Sequence, residues 1–475
     1  MRQIDRQARL IDTAPAGYAD PGPQVGASPD SHRLADGLKQ RHVVMLSIGG
    51  SIGAGLFVGS GHAIAEAGPA AVLAYVFGSL LVVTVMRMLG EMACAMPDSG
   101  SFSTYADKAI GSWAGFTIGW MYWWFWVLVV PLEATAAANI LNGWAPDVPV
   151  WQISVLVTAA LTVVNLASVK NYGELEFWFA IIKVTGILLF IGCGIAAIAG
   201  LLPSVHLTPW HTMTGHGGFI PRGMAPIVGA LLTTMFTFLG TEVVTIAAAE
   251  SENPAREIGR AITSVVWRIS LFYIGSVLVI ICTVPWNDPD LTRLGAYQAV
   301  LRNLHIPYAQ LITDGLILVA VGSCLNSALY TASRMMYSLG RRAQAPRFVT
   351  RTTASGVPAR AVMVSSLVAF VACGANYLAP KYVFDALLST TGAIALLVYL
   401  VIAVSQLRLH KRLVSTGQLK VRMWLHPYLG VLVVVLICSA FVVMVCSEEH
   451  RREVAATLCC CTALAVLGYV RKRRL

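Results

Sequence analysis

The stretch IGGSIGAGLFVGSG, Ile48 to Gly61, holds six glycines (49, 50, 53, 55, 59 and 61) in fourteen residues of an apolar run. Each glycine costs a helix about 1 kcal/mol relative to alanine. Six of them clustered near the middle of one run predict a helix that opens. Open backbone in lipid is costly unless it is buried in protein or lines a cavity, so the opening implies a site whose freed N–H groups face a ligand. Close packing of a neighbouring helix on small residues is the competing reading. A dinucleotide-binding loop is excluded, because no strand precedes the glycines and no βαβ unit surrounds them.

The rest of the chain has the composition this reading needs. Of 475 residues, 56% are hydrophobic and only 12% charged, and the mean hydropathy is +0.68. A soluble chain carries about 25% charged residues, so this one cannot clothe a water-facing surface. A bilayer-crossing helix needs about 20 mostly apolar residues. Twelve runs qualify, near 43–64, 69–96, 112–142, 150–169, 177–201, 223–248, 260–284, 310–337, 359–378, 383–405, 427–446 and 453–470. They are numbered below as spans 1 to 12. Residues 1–40 are polar and rich in Pro, Gly, Ala and Asp. They lack the apolar core of a signal peptide and read as a flexible tail.

The net charge of +10 is distributed in short clusters between the spans, which is the pattern of a membrane surface rather than of a nucleic-acid partner. With the N-terminus inside, 25 of the 34 Lys and Arg residues fall on the inner side or at the inner ends of spans, six on the outer side and three (Arg87, Lys183 and Arg268) further within spans. That bias predicts two cytoplasmic termini and an even number of spans. The ten cysteines form no CxxC pair and lie mostly in apolar runs, so neither a metal nor a redox site is expected. His206, His211 and His216 recur every five residues. That spacing scatters them around a helix and predicts no metal site.

Span 6 supplies a partner for span 1. Its segment Phe236-Thr-Phe-Leu-Gly-Thr-Glu242 places glycine and an acid inside an apolar run. Spans 1 and 6 are five apart and so enter the membrane from opposite sides. Interrupted helices at matching positions of two five-span halves point to an inverted repeat with its site at the midplane. Three charges inside spans also need a reason, since each costs about 2.5–3.5 kcal/mol at the bilayer centre on insertion scales. These are Glu133 in span 3, Lys183 in span 5 and Glu242 in span 6. Each is read as a substrate contact or a proton relay, with a buried structural ion pair as the alternative. Arg87 and Glu91, four apart in span 2, read as a structural pair on one helix face.

These motifs carry a resemblance. GGSIGAGLFVGSG, the span 6 segment FTFLGTE followed by AAAESENPAREIGRAI, and the twelve-span layout resemble the amino acid permeases of the APC superfamily. SGSFSTYADKAIG, WMYWWFWVLVVPLEA, NLASVKNYGELEFWFAIIK and SCLNSALYTASRMMYSLGRR are similar to the bacterial branch that carries 4-aminobutyrate (GABA). Branches for asparagine, proline and aromatic amino acids share much of this text and stand as alternatives. The resemblance implies an all-α membrane protein of the leucine-transporter fold, with two inverted five-helix repeats and two further helices. The expected division is a tail over 1–40, repeats over 41–206 and 207–410, and spans 11 and 12 with a basic end over 411–475.

For the site, the resemblance implies that backbone N–H groups of Gly53, Ala54 and Gly55 hold the substrate carboxylate. Carbonyls of Ser51, Phe236 and Leu239 would hold the amino group, with Phe236 also closing over the substrate. This agrees with the partial charges of half-helix ends. A span 5 lysine, here Lys183, stands in such permeases where sodium-coupled relatives bind a cation between spans 1, 5 and 8. Glu242 matches a span 6 acid linked to proton sensing, and Glu133 a span 3 position facing the substrate side chain. By helix rise Glu133 lies ~31 Å into span 3 and Lys183 only ~9 Å into span 5, so their meeting requires tilted helices. The expected partners are a small zwitterionic amino acid and the lipid bilayer, in the bacterial inner membrane, with no nucleic acid. A proton is the expected coupling ion, with no organic cofactor or metal. Of rival classes, an ion channel calls for a repeated charged or carbonyl ring. An intramembrane enzyme calls for a cluster of acids or a His/Ser/Asp set at one face. The sequence offers neither.

Overall fold

The computed structural model describes residue 34 and residues 38–50, 52–53, 55–202, 205–238, 240–251, 253–378, 380–446 and 451–474. Among them the chain is helical, with one isolated parallel bridge between Leu38 and Ser251. Every one of the apolar runs holds helix, and eight stretches are long and apolar enough to cross a bilayer unbroken.

Spans 1 and 6 are interrupted. Span 1 runs as helix over Gln40–Gly49, loses helical structure, and resumes through a π-helical turn, Gly55–Gly59, into Ser60–Ala67. Span 6 is helical over Ala225–Phe238 and again over Val243–Ala247. Its break contains Gly240 at φ 110°, a conformation that side chains other than glycine's resist. Both interruptions fall where the glycines are, because no Cβ is present to hold the chain in the right-handed well.

Span 5 starts earlier than its hydropathy suggests. Its helix covers Val169–Ile198, and the Ser168 side chain caps it by accepting from the Asn171 N–H at 3.0 Å. Such a cap is worth about 1 kcal/mol. It recruits the polar NYGELE segment into the first two turns. Lys183 is then fourteen residues into its helix, ~21 Å by helix rise, and the axial gap to Glu133 falls by about half, from ~22 to ~10 Å.

Span 3, Ser112–Trp144, and span 8, Ala309–Arg341, are 33-residue helices packed along each other at the centre of the protein. In its apolar window span 3 buries 72% of the residues, against 22% and 17% for the windows of Tyr428–Cys446 and of the last helix. Spans 11 and 12 are therefore peripheral, and most of their apolar surface faces away from the bundle. The span 3 aromatics divide between the two environments. Tyr122, Phe125 and Trp126 are buried, whereas Trp124 is exposed on the lipid-facing side.

One expectation changes. Arg87 and Glu91 do not pair. Arg87 Nε donates to the Arg422 carbonyl at 3.0 Å and its guanidinium lies over the Trp424 ring. The Glu91 carboxylate instead accepts from Gln406 Nε2 at 2.8 Å and the Met423 N–H at 2.7 Å, and lies 2.7 Å from His410 Nδ1. A fully buried carboxylate takes several fixed donors in preference to one flexible guanidinium that has solvent within reach. Leu38 is 1% exposed, and its N–H donates to the Glu250 carbonyl at 3.4 Å, because an apolar side chain at that point buries itself against the helix ends.

Candidate functional site

The two interruptions face each other. A Cβ placed on Gly50 would meet the Gly240 carbonyl oxygen at 3.3 Å, so backbone of span 1 lies against backbone of span 6. The Thr237 hydroxyl reaches the Gly55 carbonyl at 3.4 Å across the same gap. On span 6, the Thr237 carbonyl accepts from Tyr273 Oη at 3.1 Å and the Phe238 carbonyl from Tyr399 Oη at 3.5 Å. These bonds supply donors to carbonyls at the interruption, where the Phe238 carbonyl also accepts from the Thr241 N–H at 3.4 Å.

A first cluster of charges surrounds span 1. Lys183 Nζ donates to the Ile52 carbonyl at 3.1 Å and to Ser323 Oγ at 2.7 Å. An ammonium from span 5 is thus held between the opened backbone of span 1 and a hydroxyl of span 8. Glu133 stands on the other side of the same turn. A Cβ on Gly53 would come within 2.6 Å of its Oε1 and 2.8 Å of Cys324 Sγ. Glu133, Cys324 and Glu176 all lie within electrostatic reach of the Lys183 ammonium. Gly53 is therefore required for close approach, and Gly53→Ala is expected to displace Glu133 and Cys324. Substrate uptake in membrane vesicles should fall at least tenfold with the protein still inserted; wild-type uptake by the variant would show that the contact tolerates a methyl group.

Glu176 is the residue that sequence reasoning missed. It is fully buried and accepts from the Ser323 hydroxyl and from Asn326 Nδ2, the latter at 3.2 Å. Asn165 of span 4 continues the chain, donating to Asn326 Oδ1 at 2.8 Å. Glu176 and Lys183 are seven residues apart, two helical turns on one face. That spacing was the available signal, but it becomes visible only once the helix is known to begin at Val169. Ser323, Asn326 and Asn165 carry no charge and gave none.

A second cluster surrounds Glu242. Its carboxylate accepts from Tyr122 Oη at 2.7 Å and from the Gly240 N–H at 3.0 and 3.2 Å. An acid two residues beyond the glycine thereby caps the interruption itself. Tyr122 and Glu133 lie on the same helix eleven residues apart, ~16 Å along its axis, so the two clusters sit at different depths. The structure brings Gly53, Glu133 and Lys183 together and holds Glu242 apart with Tyr122. Ser51, Ala54 and Leu239 lie outside the described residues, as does the Phe236 side chain.

At the end of the bundle that also holds Leu38, a third group closes the floor. Arg334 Nε donates to Glu250 Oε1 at 3.0 Å and Nη2 to Oε2 at 3.4 Å, with both side chains 1% exposed. The guanidinium lies 3.9 Å over the Tyr330 ring, which stacks on Tyr172 at 4.2 Å.

The family profile described as "Amino acid permease" matches residues 42–468. The chain belongs to the amino acid permease family. The permease is 59% identical over 409 residues to a Pseudomonas aeruginosa protein named "Probable GABA permease", covering 86% of each chain. It is 57% identical over 411 residues to the "Gamma-aminobutyric acid permease" of Escherichia coli, covering 86% of the permease and 88% of the relative. It is 42% identical over 410 residues to the "Aromatic amino acid transport protein AroP" of Corynebacterium glutamicum, covering 86% and 88%. Among solved structures, a manganese transporter of Eremococcus coleocola superposes with a TM-score of 0.60 at 13% identity, covering 92% of the permease and 94% of that chain. At that identity the likeness concerns the fold, which is the leucine-transporter-like arrangement with discontinuous spans 1 and 6. The permease is a membrane transporter, not an enzyme.

Proposed function

We propose that this chain takes up 4-aminobutyrate across the bacterial inner membrane, by alternating access and at the expense of a proton gradient, with both termini cytoplasmic. The observation that carries the reading is the pair of facing interruptions in spans 1 and 6, lined by Glu133 and Lys183. The names of the two most similar relatives described above support the choice of substrate. The substrate carboxylate is assigned to the N–H groups of Gly53, Ala54 and Gly55, at the positive end of the second half of span 1. Carbonyls of Ser51, Phe236 and Leu239 are assigned to the ammonium end.

In 4-aminobutyrate the amine is three carbons from the carboxylate, farther than in an α-amino acid. Glu133 is assigned the balance of that distant charge, because its carboxylate already reaches the Gly53 turn. Lys183 is assigned the proton, with Glu176 as the buried counter-charge beside it and Glu242 as the acid that responds at span 6. A protonated Lys183 grips the Ile52 carbonyl. A deprotonated one releases it and frees span 1 to move.

Counterflow of labelled 4-aminobutyrate in proteoliposomes, challenged with unlabelled asparagine, proline and aromatic amino acids, tests the substrate. Absence of 4-aminobutyrate counterflow in proteoliposomes that do exchange labelled asparagine, proline or an aromatic amino acid would transfer the chain to another branch of the family. Glu133→Gln is expected to raise the apparent Kd for 4-aminobutyrate at least tenfold, since a hydrogen bond to a charged group contributes about 1.5–3 kcal/mol. Unchanged affinity in that variant removes Glu133 from recognition.

A further inference from the structure

Away from the substrate path, a cleft of about 700 Å³ opens between the end of span 2, the start of span 7 and the connection from span 10 to span 11. Its volume falls in the ~300–1,000 Å³ range of small-molecule sites. Arg87, Arg256, Arg260 and Lys420 line it, around Gly259 and Thr263. One acid is adjacent: Glu257 lies 3.8 Å from Arg260 and is turned inward, at 7% side-chain exposure. Arg87 is already positioned, by the Arg422 carbonyl and the Trp424 ring, but by no carboxylate. Arg256 and Lys420 have no acceptor among the described residues. Three cationic residues thus line the cleft with no carboxylate paired to them among the described residues. The floor is open, since a Cβ on Gly259 would find nothing closer than Cys94 Sγ at 3.8 Å.

We propose that this cleft binds the phosphate headgroup of one anionic phospholipid. The shared chemistry is a phosphate held by several guanidinium and ammonium donors, which a soluble phosphate also offers. The surroundings favour the lipid. The cleft's Arg87 lies over the Trp424 ring, and in the connection that carries Lys420 on into span 11 Trp424, Leu425 and Tyr428 are 49%, 76% and 80% exposed. Exposed Trp and Tyr at a helix start mark the depth of the membrane–water interface. Basic pockets between spans at that depth suit anionic headgroups. The headgroup would bridge spans 2 and 7 to the connection that leads into span 11.

Native mass spectrometry of the intact protein, released from neutral detergent with added phosphatidylglycerol or with phosphatidylcholine of the same acyl chains, tests the site. One phosphatidylglycerol should stay bound where phosphatidylcholine does not. The double variant Arg256→Gln/Lys420→Gln, which removes two exposed side chains and no packing, should cut the bound fraction at least tenfold. Gly259→Trp, which fills the cleft and keeps every charge, should do the same. Arg347→Gln/Arg351→Gln, two basic residues elsewhere at this end of the bundle, should leave it unchanged. Equal retention of both lipids, or undiminished phosphatidylglycerol in either cleft variant, overturns the site. Displacement of phosphatidylglycerol by millimolar inorganic phosphate overturns the lipid as its ligand. None of these readouts depends on transport.

Discussion

Replacing Lys183 with alanine is expected to abolish pH-driven accumulation of 4-aminobutyrate while leaving exchange of labelled for unlabelled substrate intact. The ammonium is the group that ties the opened backbone of span 1 at Ile52 to Ser323 of span 8. Without it span 1 moves whether or not a proton is present, and the gradient no longer drives net uptake. The substitution also strands Glu176, fully buried, without its nearest positive charge. An uncompensated buried charge costs about 3–5 kcal/mol, so the single variant is expected to lose stability as well as coupling. The double variant Lys183→Ala/Glu176→Gln separates the two. It should recover the expression and thermal stability lost in the single variant and still fail to accumulate substrate. Full accumulation under a pH gradient in either variant would falsify the assignment of the proton to Lys183.

The second large effect is structural. Arg334→Ala is expected to destabilise the protein by about 3–5 kcal/mol, because Glu250 is then buried with its charge unpaired. The variant also removes the cation that lies over Tyr330, a contact worth about 2 kcal/mol when desolvated. Thermal unfolding in detergent, followed by tryptophan fluorescence, measures the loss. A double-mutant cycle with Glu250→Gln should return a coupling energy of 0.5–3 kcal/mol in favour of the pair. Independent, additive effects of the two substitutions would mean that the pair is not a unit, and that the floor beneath the site is held by the Tyr172–Tyr330 stack alone.

What could be read from the chain follows from which features carry a cost. Glycines inside an apolar run weaken a helix wherever they stand, so both interruptions were visible in advance. Lys183, Glu133 and Glu242 were visible because a charge in lipid needs a reason. Glu176 was hidden for the opposite cause. Its neighbours are polar enough to pass for a loop, and only the Ser168 cap turns that stretch into the first turns of span 5. Tyr122, Ser323 and Asn326 belong to the site through hydrogen bonds that have no signature in composition. The Arg87–Glu91 pairing failed because helix spacing considers one helix at a time, whereas the partners of Glu91 come from more than 300 residues away. Likewise, the axial offset between Glu133 and Lys183 depended on a helix start that hydropathy placed eight residues late.

Span 8 carries Ser323 and, eleven residues on, Arg334, in one uninterrupted helix from Ala309 to Arg341. A stiff rod cannot shift one of these positions and leave the other where it was. On the proposed mechanism, unlatching the guanidinium at the floor and letting go of the lysine at mid-depth would be strokes of a single lever, ~16 Å between its two points of purchase. Slippage, in which protons cross with no cargo, would require that lever to bend, and its middle contains neither proline nor glycine between Ser323 and Arg334.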